Sequence, residues 1–448
     1  MNHKRPLVHT WLLFLVLVTG SAAAQTSTKH EFTIKQAIEY AHRNNVQVKN
    51  ALLNIQSQQE TNREITAAAL PNVNANLGVT DYIDIPTSLL PGEIFGQPAG
   101  TYIPVKFGTK YNSTASIQLQ QLLFDGQVFI GLKARSTSIE FQTKNMEVTE
   151  ELIKTNIYKV YYLLVVSKTQ LDLLDANIAR LEKLNHDATQ LYKNGFAEKL
   201  DMDKISVQLS NLQSEKTKAL NNISIGYLGL KTLMGMPVKD TLILADKITE
   251  DKVKEDFSND TTYQYTDRKD FQYLTLAKEL NKLNVKRYQY SYLPTLALNG
   301  TYSKNAQRNT FDFTGKGDWF TTSYVGFNLA VPIFSGFARS SRVTRSRIEL
   351  KQTENQLDNL KLNIDSEVEQ AKINFKSALT TMTAQRNNMQ LAESVYNQTK
   401  KKFEAGTGSN TEITSAQTDL ITAQTNFISA LYNAIIAKVD YYKAIGKL

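Results

Sequence analysis

The chain has no cysteine among its 448 residues. That excludes disulfides, thiolate metal sites, a cysteine nucleophile and a lipid-anchored N-terminal cysteine. Histidine is nearly as scarce, with five in all. His3 and His9 lie in the first segment, and His30, His42 and His186 are far apart. No His-x-x-x-His pair, Gly-x-Ser-x-Gly elbow or phosphate-cradling loop occurs, and carboxylate pairs such as Asp201 and Asp203 read as a solvated helix face. The sequence therefore predicts no catalytic residue, no cofactor and no metal site, and no enzyme. Long apolar runs are missing too. Trp11–Val18 falls short of the ~18 residues a spanning helix needs, and no later stretch reads as a membrane-crossing helix.

What is present points to export. His3, Lys4 and Arg5, the apolar run and Ala22-Ala23-Ala24 form a signal peptide over 1–24, with the mature chain beginning at Gln25. Export without disulfides suits a bacterial envelope protein held together by packing. The 42% hydrophobic content excludes wholesale disorder and is too low for a bundle of spanning helices. The formal charge of +8 includes Lys4 and Arg5 of the leader, and most other cations alternate with acids on helix faces. No nucleic acid is expected as partner. One basic cluster stands out, Arg339, Arg342, Arg345 and Arg347. It reads either as a solvated helix start or as a contact with lipid headgroups.

The chain also says the same thing twice. Phe124-Asp125-Gly126 opens a long helical pattern, Gly195 turns it, and the return stops at Met234-Gly235. Phe334-Ser335-Gly336, Gly406 and Ile445-Gly446 repeat that grammar at separations of 210, 211 and 211 residues. A unit of this length is a duplicated half-protein rather than a solenoid repeat. The expected organisation is a leader (1–24), a first repeat (25–235), a connection (236–266) and a second repeat (267–448). Each repeat holds a helix, a β-hairpin (about 72–124 and 294–334) and a long helical hairpin (about 127–234 and 337–446).

Within each half the period changes. Phe32 to about Ala69 is helical, with Thr33 and Gln36 as a capping box, and Pro71 ends it. Val73, Ala75, Leu77 and Val79 then alternate with Asn72, Asn74 and Asn76. A loop rich in Pro and Gly follows over 83–110, and Ala115, Ile117 and Leu119 resume the alternation. Leu296 and Leu298, then Val325, Phe327, Leu329 and Val331, do the same around a loop at 305–318. Such strands, about 10 residues long, can cross a membrane at a tilt. Their polar faces are uncharged, and Tyr82, Tyr111, Tyr302 and Tyr324 lie near strand ends, where interfacial aromatics belong. A closed barrel needs about eight strands or more. One chain offers four, so strand counting allows a dimer or a trimer. The helices carry apolar residues in 3/4 register (Ile153, Ile157, Val160, Leu164; Ile413, Ala416, Leu420, Ala423), a coiled-coil pattern. The connection is polar after Pro237, with a short strand expected at Thr241–Leu244.

These residues resemble the TolC-like outer-membrane efflux and secretion channels. The likeness rests on Phe32–Ala41 with Asn44-Asn45, the Leu70-Pro71 and Leu293-Pro294 steps from helix to strand, Asp267-Arg268-Lys269-Asp270-Phe271, the paired Phe-x-Gly corners and Tyr432-Asn433-Ala434 through Gly446. Lys269 departs from the proline usual in that Arg-Pro-Asp motif. The resemblance implies a fold of mixed α and β. A trimeric twelve-stranded transmembrane β-barrel would continue into a long coiled-coil α-helical barrel in the periplasm. It implies an outer-membrane exit duct for tripartite efflux or type I secretion. The partners implied are two further copies, a periplasmic adaptor (membrane fusion protein), an inner-membrane pump and outer-membrane lipid. It maps adaptor docking onto the tips, Tyr192, Lys193, Asn194, Gly195 and Phe196 in one hairpin and Lys402, Phe403, Glu404, Ala405, Gly406 and Thr407 in the other. It maps a periplasmic gate onto Asp201 and Glu412. Ser415 replaces the family's second acidic position, and Phe403 replaces a tyrosine that some members bond to the aspartate. A periplasmic coiled-coil adaptor would need a single hairpin with flanking lipoyl-like segments, and a self-contained porin would need a whole barrel from one chain.

Overall fold

The computed structural model describes residues 29–248, 253, 262–313 and 317–448. The leader expected over 1–24 and most of the polar part of the connection lie outside the described residues.

Capping chemistry sets the first elements. Thr33 accepts the Gln36 amide while the Gln36 side chain accepts the Thr33 amide, closing the capping box that starts helix α1 (Ile34–Asn44). The helical run expected from Phe32 to Ala69 is not continuous. Asn45 leaves the helical region, and its side chain accepts the amides of Gln47 and Val48 to cap a new helix, α2 (Val46–Ala67). Before α1, strand β1 (Lys29–Phe32) pairs in parallel with β6 (Thr241–Leu244), the short strand expected in the connection.

Past Pro71 the period-2 pattern forms β2 (Asn72–Asp81), antiparallel to β5 (Tyr111–Phe124). The intervening stretch, expected to be irregular, holds its own antiparallel pair, β3 (Thr87–Pro91) and β4 (Tyr102–Lys106). β7 (Thr295–Arg308) runs further than its alternation suggested and pairs with β8 (Phe320–Ala330). The larger sheet has four strands in the order β2-β5-β7-β8, antiparallel throughout. Its register brings like with like. Val73, Ala75 and Leu77 stand opposite Leu119, Ile117 and Ala115, while Asn72, Asn74 and Asn76 stand opposite Gln120, Gln118 and Ser116. Leu298 faces Phe327 and Leu296 faces Leu329. One face of the sheet is thus mainly apolar, with Gln121 and Lys304 among the exceptions, and the other mainly polar, and Val73, Leu77, Ile117, Val325 and Phe327 are exposed on the protomer.

Below the sheet run the long helices. Asp125 caps α3 (Gly126–Lys193), whose 68 residues make a rod of roughly 100 Å. It returns as α4 (Lys199–Met234). After α5 (Lys269–Tyr290), α6 (Ala338–Glu404) and α7 (Asn410–Ala444) form the second hairpin. The two Phe-x-Gly corners differ. In the second, Ser335 supplies no cap, Gly336 and Phe337 are both left-handed (φ 56° and 64°), and the helix begins only at Ala338.

The 3/4 registers become the seams. Leu181, Ile205, Leu212, Tyr396, Ile413 and Leu420 fill the lower rod, and Val166, Met382, Ile428, Leu431 and Ala434 fill a layer above it. Ala37, Ala41, Ile157, Tyr161, Leu230 and Met234 join α1, α3 and α4, and Ile364, Phe375, Tyr441 and Ile445 join α6 to α7. One expectation is corrected here. An 18-residue window of α7 reaches a mean hydropathy of 1.2 and could span a bilayer by length and composition. Ile413, Leu420, Ile428, Leu431 and Ile435 on α7 are instead buried in the rod seam. The surface of 28946 Å² far exceeds the roughly 17,000 Å² expected of a compact monomer of this size.

Candidate functional site: the rod tips and the collar above them

Each tip is a helix stop built from backbone bonds. In α3 the last turn ends at Lys193, Asn194 caps it, and Gly195 takes φ 79°. The Gly195 amide bonds the Tyr192 carbonyl at 3.0 Å, and the Phe196 amide bonds the Leu191 carbonyl at 2.8 Å. Gly406 (φ 73°) and Thr407 do the same to Phe403 and Lys402, both at 3.0 Å. These are paired Schellman motifs, which satisfy carbonyls that the helix leaves open and need a left-handed residue at the turn. The two tips then differ in what they show. Phe196 is 81% exposed, whereas Phe403 is half-buried and packs into the lower rod core. Tyr192, Lys193, Lys402 and Thr407 are exposed.

Both gate candidates open return helices. Asp201 lies in the first turn of α4 and Glu412 in that of α7. Ser409 caps α7 by accepting the Glu412 amide at 3.2 Å. Carboxylates in a first turn also neutralise the positive end of the helix, which is reason enough for acids there. The structure brings the two starts together, since the Asn410 side-chain amide donates to the Asp201 carbonyl at 3.3 Å. Asp201 is half-buried and Glu412 exposed.

Higher in the rod is a layer that sequence reading missed. Asn177, 2% exposed, donates to Gln424 at 2.7 Å and accepts from Gln417 at 3.1 Å and from Arg180 at 2.9 Å. This polar layer joins α3 to α7 between two apolar clusters. Its signal was available, because Gln417 and Gln424 stand seven apart on the buried stripe of α7, where a polar residue fixes helix register.

The collar explains the Asp267–Phe271 motif. Arg268, 5% exposed, forks onto Asp270 through Nε (3.1 Å) and Nη2 (2.6 Å). Its Nη1 donates to Glu367 at 2.9 Å and to the Ala444 carbonyl at 3.1 Å, so one guanidinium ties α5, α6 and the end of α7. Lys269, in the place of the family's proline, reaches Glu147 on α3 at 2.9 Å, and Lys144 joins it at 2.9 Å. Burial pushes the Glu147 carboxyl up, but these two lysines outweigh it and hold it below the usual carboxylate range. Burial raises Glu150 and Glu151, although His42 stands 2.7 Å from Glu150 and Arg268 lowers Glu151. On the far side, Tyr161 bonds between the Phe32 carbonyl (2.9 Å) and Asp246 (2.8 Å), and Asp246 accepts the Ile34 amide at 2.7 Å. Burial first, then Asp246, pushes that phenol well above its ordinary value. Among the described residues no group of three or more His, Cys, Asp or Glu is placed to hold a metal. The bonds named here all run between elements of the same chain, so the arrangement pins helices.

Against known proteins, residues 268–447 match the family model described as outer membrane efflux protein. The chain is 18% identical over 338 residues to the outer membrane protein TolC of Vibrio cholerae, covering 75% of this chain and 77% of that one. It is 19% identical over 311 residues to the proteases secretion protein PrtF of Dickeya chrysanthemi, covering 68% and 66%. Its fold is similar to that of the solved channel CusC, with a TM-score of 0.74 at 14% identity over 99% of this chain and 98% of that one.

Proposed function

We infer that this chain belongs to the outer membrane efflux protein family, whose model matches residues 268–447, and is an outer-membrane exit duct for efflux or type I secretion, with a large periplasmic extension. Three copies close one twelve-stranded barrel, each giving the four strands of its sheet, and their helical hairpins continue it as one tunnel. The observation that carries this is the sheet. It is mainly apolar on one face, mainly polar on the other, and its outer strands β2 and β8 have no second partner among the described residues. An open edge cannot sit in lipid, so a membrane sheet of four strands needs further copies. The same observation disfavours a self-contained porin. Two long helical hairpins and four such strands disfavour a periplasmic adaptor.

The duct performs no chemistry, and energy comes from an inner-membrane pump reached through a periplasmic adaptor at the tips. Tyr192, Lys193, Gly195, Phe196, Lys402, Phe403, Gly406 and Thr407 form the docking ring, with Phe196 as its most exposed anchor. Twofold repetition of the chain supports two kinds of site around that ring. Glu412 and Asp201 line the narrow end, where three Glu412 carboxylates favour cations as charged rings do in pores. Phe403 has no hydroxyl to offer the Asp201 carboxylate, and the contact from the second hairpin is the Asn410 side-chain amide on the Asp201 main-chain carbonyl.

Heat-sensitive migration as a trimer from outer-membrane fractions is the expected outcome, and recovery in the soluble periplasm would overturn the reading. For the gate, Glu412→Gln should reduce single-channel cation selectivity and block by multivalent cations. Unchanged selectivity would remove Glu412 from that role.

A further inference from the structure

The corner between β8 and α6 carries side chains that the duct has no use for. β8 exposes Val325, Phe327 and Leu329 on its apolar face, and the chain continues through Val331, Ile333, Phe334 and Phe337, all exposed. The Phe334 and Phe337 rings meet edge to face at 5.7 Å. Phe337 is the one described non-glycine residue with positive φ (64°), and it is 74% exposed. An L residue takes that conformation only where the surroundings hold it there, and here it keeps an aromatic ring at the surface. Directly below come Arg339, Arg342, Arg345 and Arg347, spread over roughly 12 Å of helix. The first turn of α6 has no acid and its cap residue makes no side-chain hydrogen bond. Arg345 approaches Glu349 at 3.5 Å, and among the described residues Arg339, Arg342 and Arg347 have no ion pair.

We propose that this corner docks the anionic phospholipid headgroups of the periplasmic leaflet, the aromatic step lying at the acyl boundary and the arginines on its lipid-facing side reaching the phosphates beneath it. Three observations carry it. The apolar corner is continuous with the apolar face of the sheet. The order, apolar then aromatic then cationic, is that of a leaflet read from its core outward. The charge is of one sign and nearly unpaired within the protomer, which complements phosphate, and guanidinium forks match phosphate geometry. The proposal rests on the outer-membrane placement given above.

Arg342 and Arg345 fall on one side of the buried Val343–Ser346 stripe and Arg347 on the other, at about 100° per residue. The side that faces lipid therefore carries the effect, and the opposite side faces the lumen.

The test uses the full-length assembly in detergent, titrated with phosphatidylglycerol or phosphatidylethanolamine, with bound lipid counted by native mass spectrometry. One cation near an anionic surface is worth about fivefold in partition. The wild type should prefer phosphatidylglycerol by roughly tenfold or more, and the preference should fall as salt is raised. Replacing all four arginines by glutamine should abolish it, and replacing all four by lysine should retain most of it. No preference in the wild type, or an equal preference in the glutamine variant, would overturn the proposal. So would a glutamine variant whose only change is the anion selectivity of the pore, because the arginines would then all line the lumen. If the glutamine variant does not assemble, the Arg342→Gln/Arg345→Gln and Arg347→Gln variants are compared, and retention by both would overturn it. Wild-type conductance in planar bilayers tests the duct separately. Conductance without lipid preference sinks the lipid site alone, and absence of both trimers and conductance sinks the duct.

Discussion

Two glutamates one turn apart on α3, Glu147 and Glu151, have environments of opposite effect. Glu147 is held ionised by Lys144 and Lys269, so its contribution is present above the ordinary carboxylate value of 4.5 and is lost as pH falls through its lowered folded value. Glu151 is raised by burial, so its charge opposes folding once pH rises above that raised value. Glu147→Gln should lower the unfolding midpoint at pH 7 and Glu151→Gln should raise it. Each shift should be roughly 1–2 °C for a chain of this size. Both should shrink as pH is taken below 4.5, the Glu147 effect last because its folded value is lowered. Thermal melts of the assembled protein at pH 7 and below 4.5 check this, and shifts of the same sign would refute the assignment. Lys269 also shows how a departure from family pattern is absorbed: the helix start keeps its Arg268–Asp270 fork and gains a bridge to α3 in place of a fixed proline φ.

At the scale of elements, the docking role proposed for the tip turns can be tested apart from assembly. A Cβ at Gly406 would meet nothing within 4 Å, so the main cost of Gly406→Val is that of the left-handed backbone, about 1–2 kcal/mol. Trimers should persist in the membrane while export fails, measured as drug tolerance or secreted polypeptide. Unchanged export would count against docking at that turn. The long helices and the sheet strands were legible because their periods run for many residues, and the Thr33–Gln36 box because its chemistry is local. The break at Asn45 was not. Helical period continues on both sides of it, and part of what holds Asn45 is the Leu233 carbonyl, 188 residues away in sequence. β1 was missed because four residues carry too little alternation, and its partner β6 is equally remote. β3 and β4 were hidden by Pro91, Gly92 and Pro104, which punctuate a stretch and do not forbid short edge pairs. The second Phe-x-Gly corner looked like a copy of the first, but the left-handed Gly336 and Phe337 delay the helix to Ala338, so Ser335 falls outside the cap position that Asp125 holds in α3. The turn glycines and first-turn acids proposed for docking and gating were legible as positions in the fold. Which aromatic faces outward was not, because Phe196 and Phe403 differ in tertiary packing rather than in local pattern.

For the whole molecule, the two faces of the sheet make a paired prediction. Leu77 is 85% exposed in the protomer and lies on the apolar face. Leu77→Lys should cost about 2–4 kcal/mol if that face meets lipid near the bilayer midplane, seen as loss of trimer from outer-membrane fractions. Asn76→Lys, on the polar face one residue away, should be tolerated. Equal damage from both would reverse or remove the assignment of faces.

The pairing of β5 with β7, Tyr111 against Arg308, spans the entire first helical hairpin. Its consequence lies in time. Loop-closure entropy makes so distant a pair slow to form, whereas α3 and α4 meet across a five-residue turn (194–198) and can zip as they emerge. β2 and β5 can pair early, but they must then wait, with one edge open, for about 170 further residues to be made. A chain emerging in order thus passes through a state with its first helical hairpin formed and half a sheet. That state is the one most prone to aggregate and the one an envelope chaperone has most reason to hold.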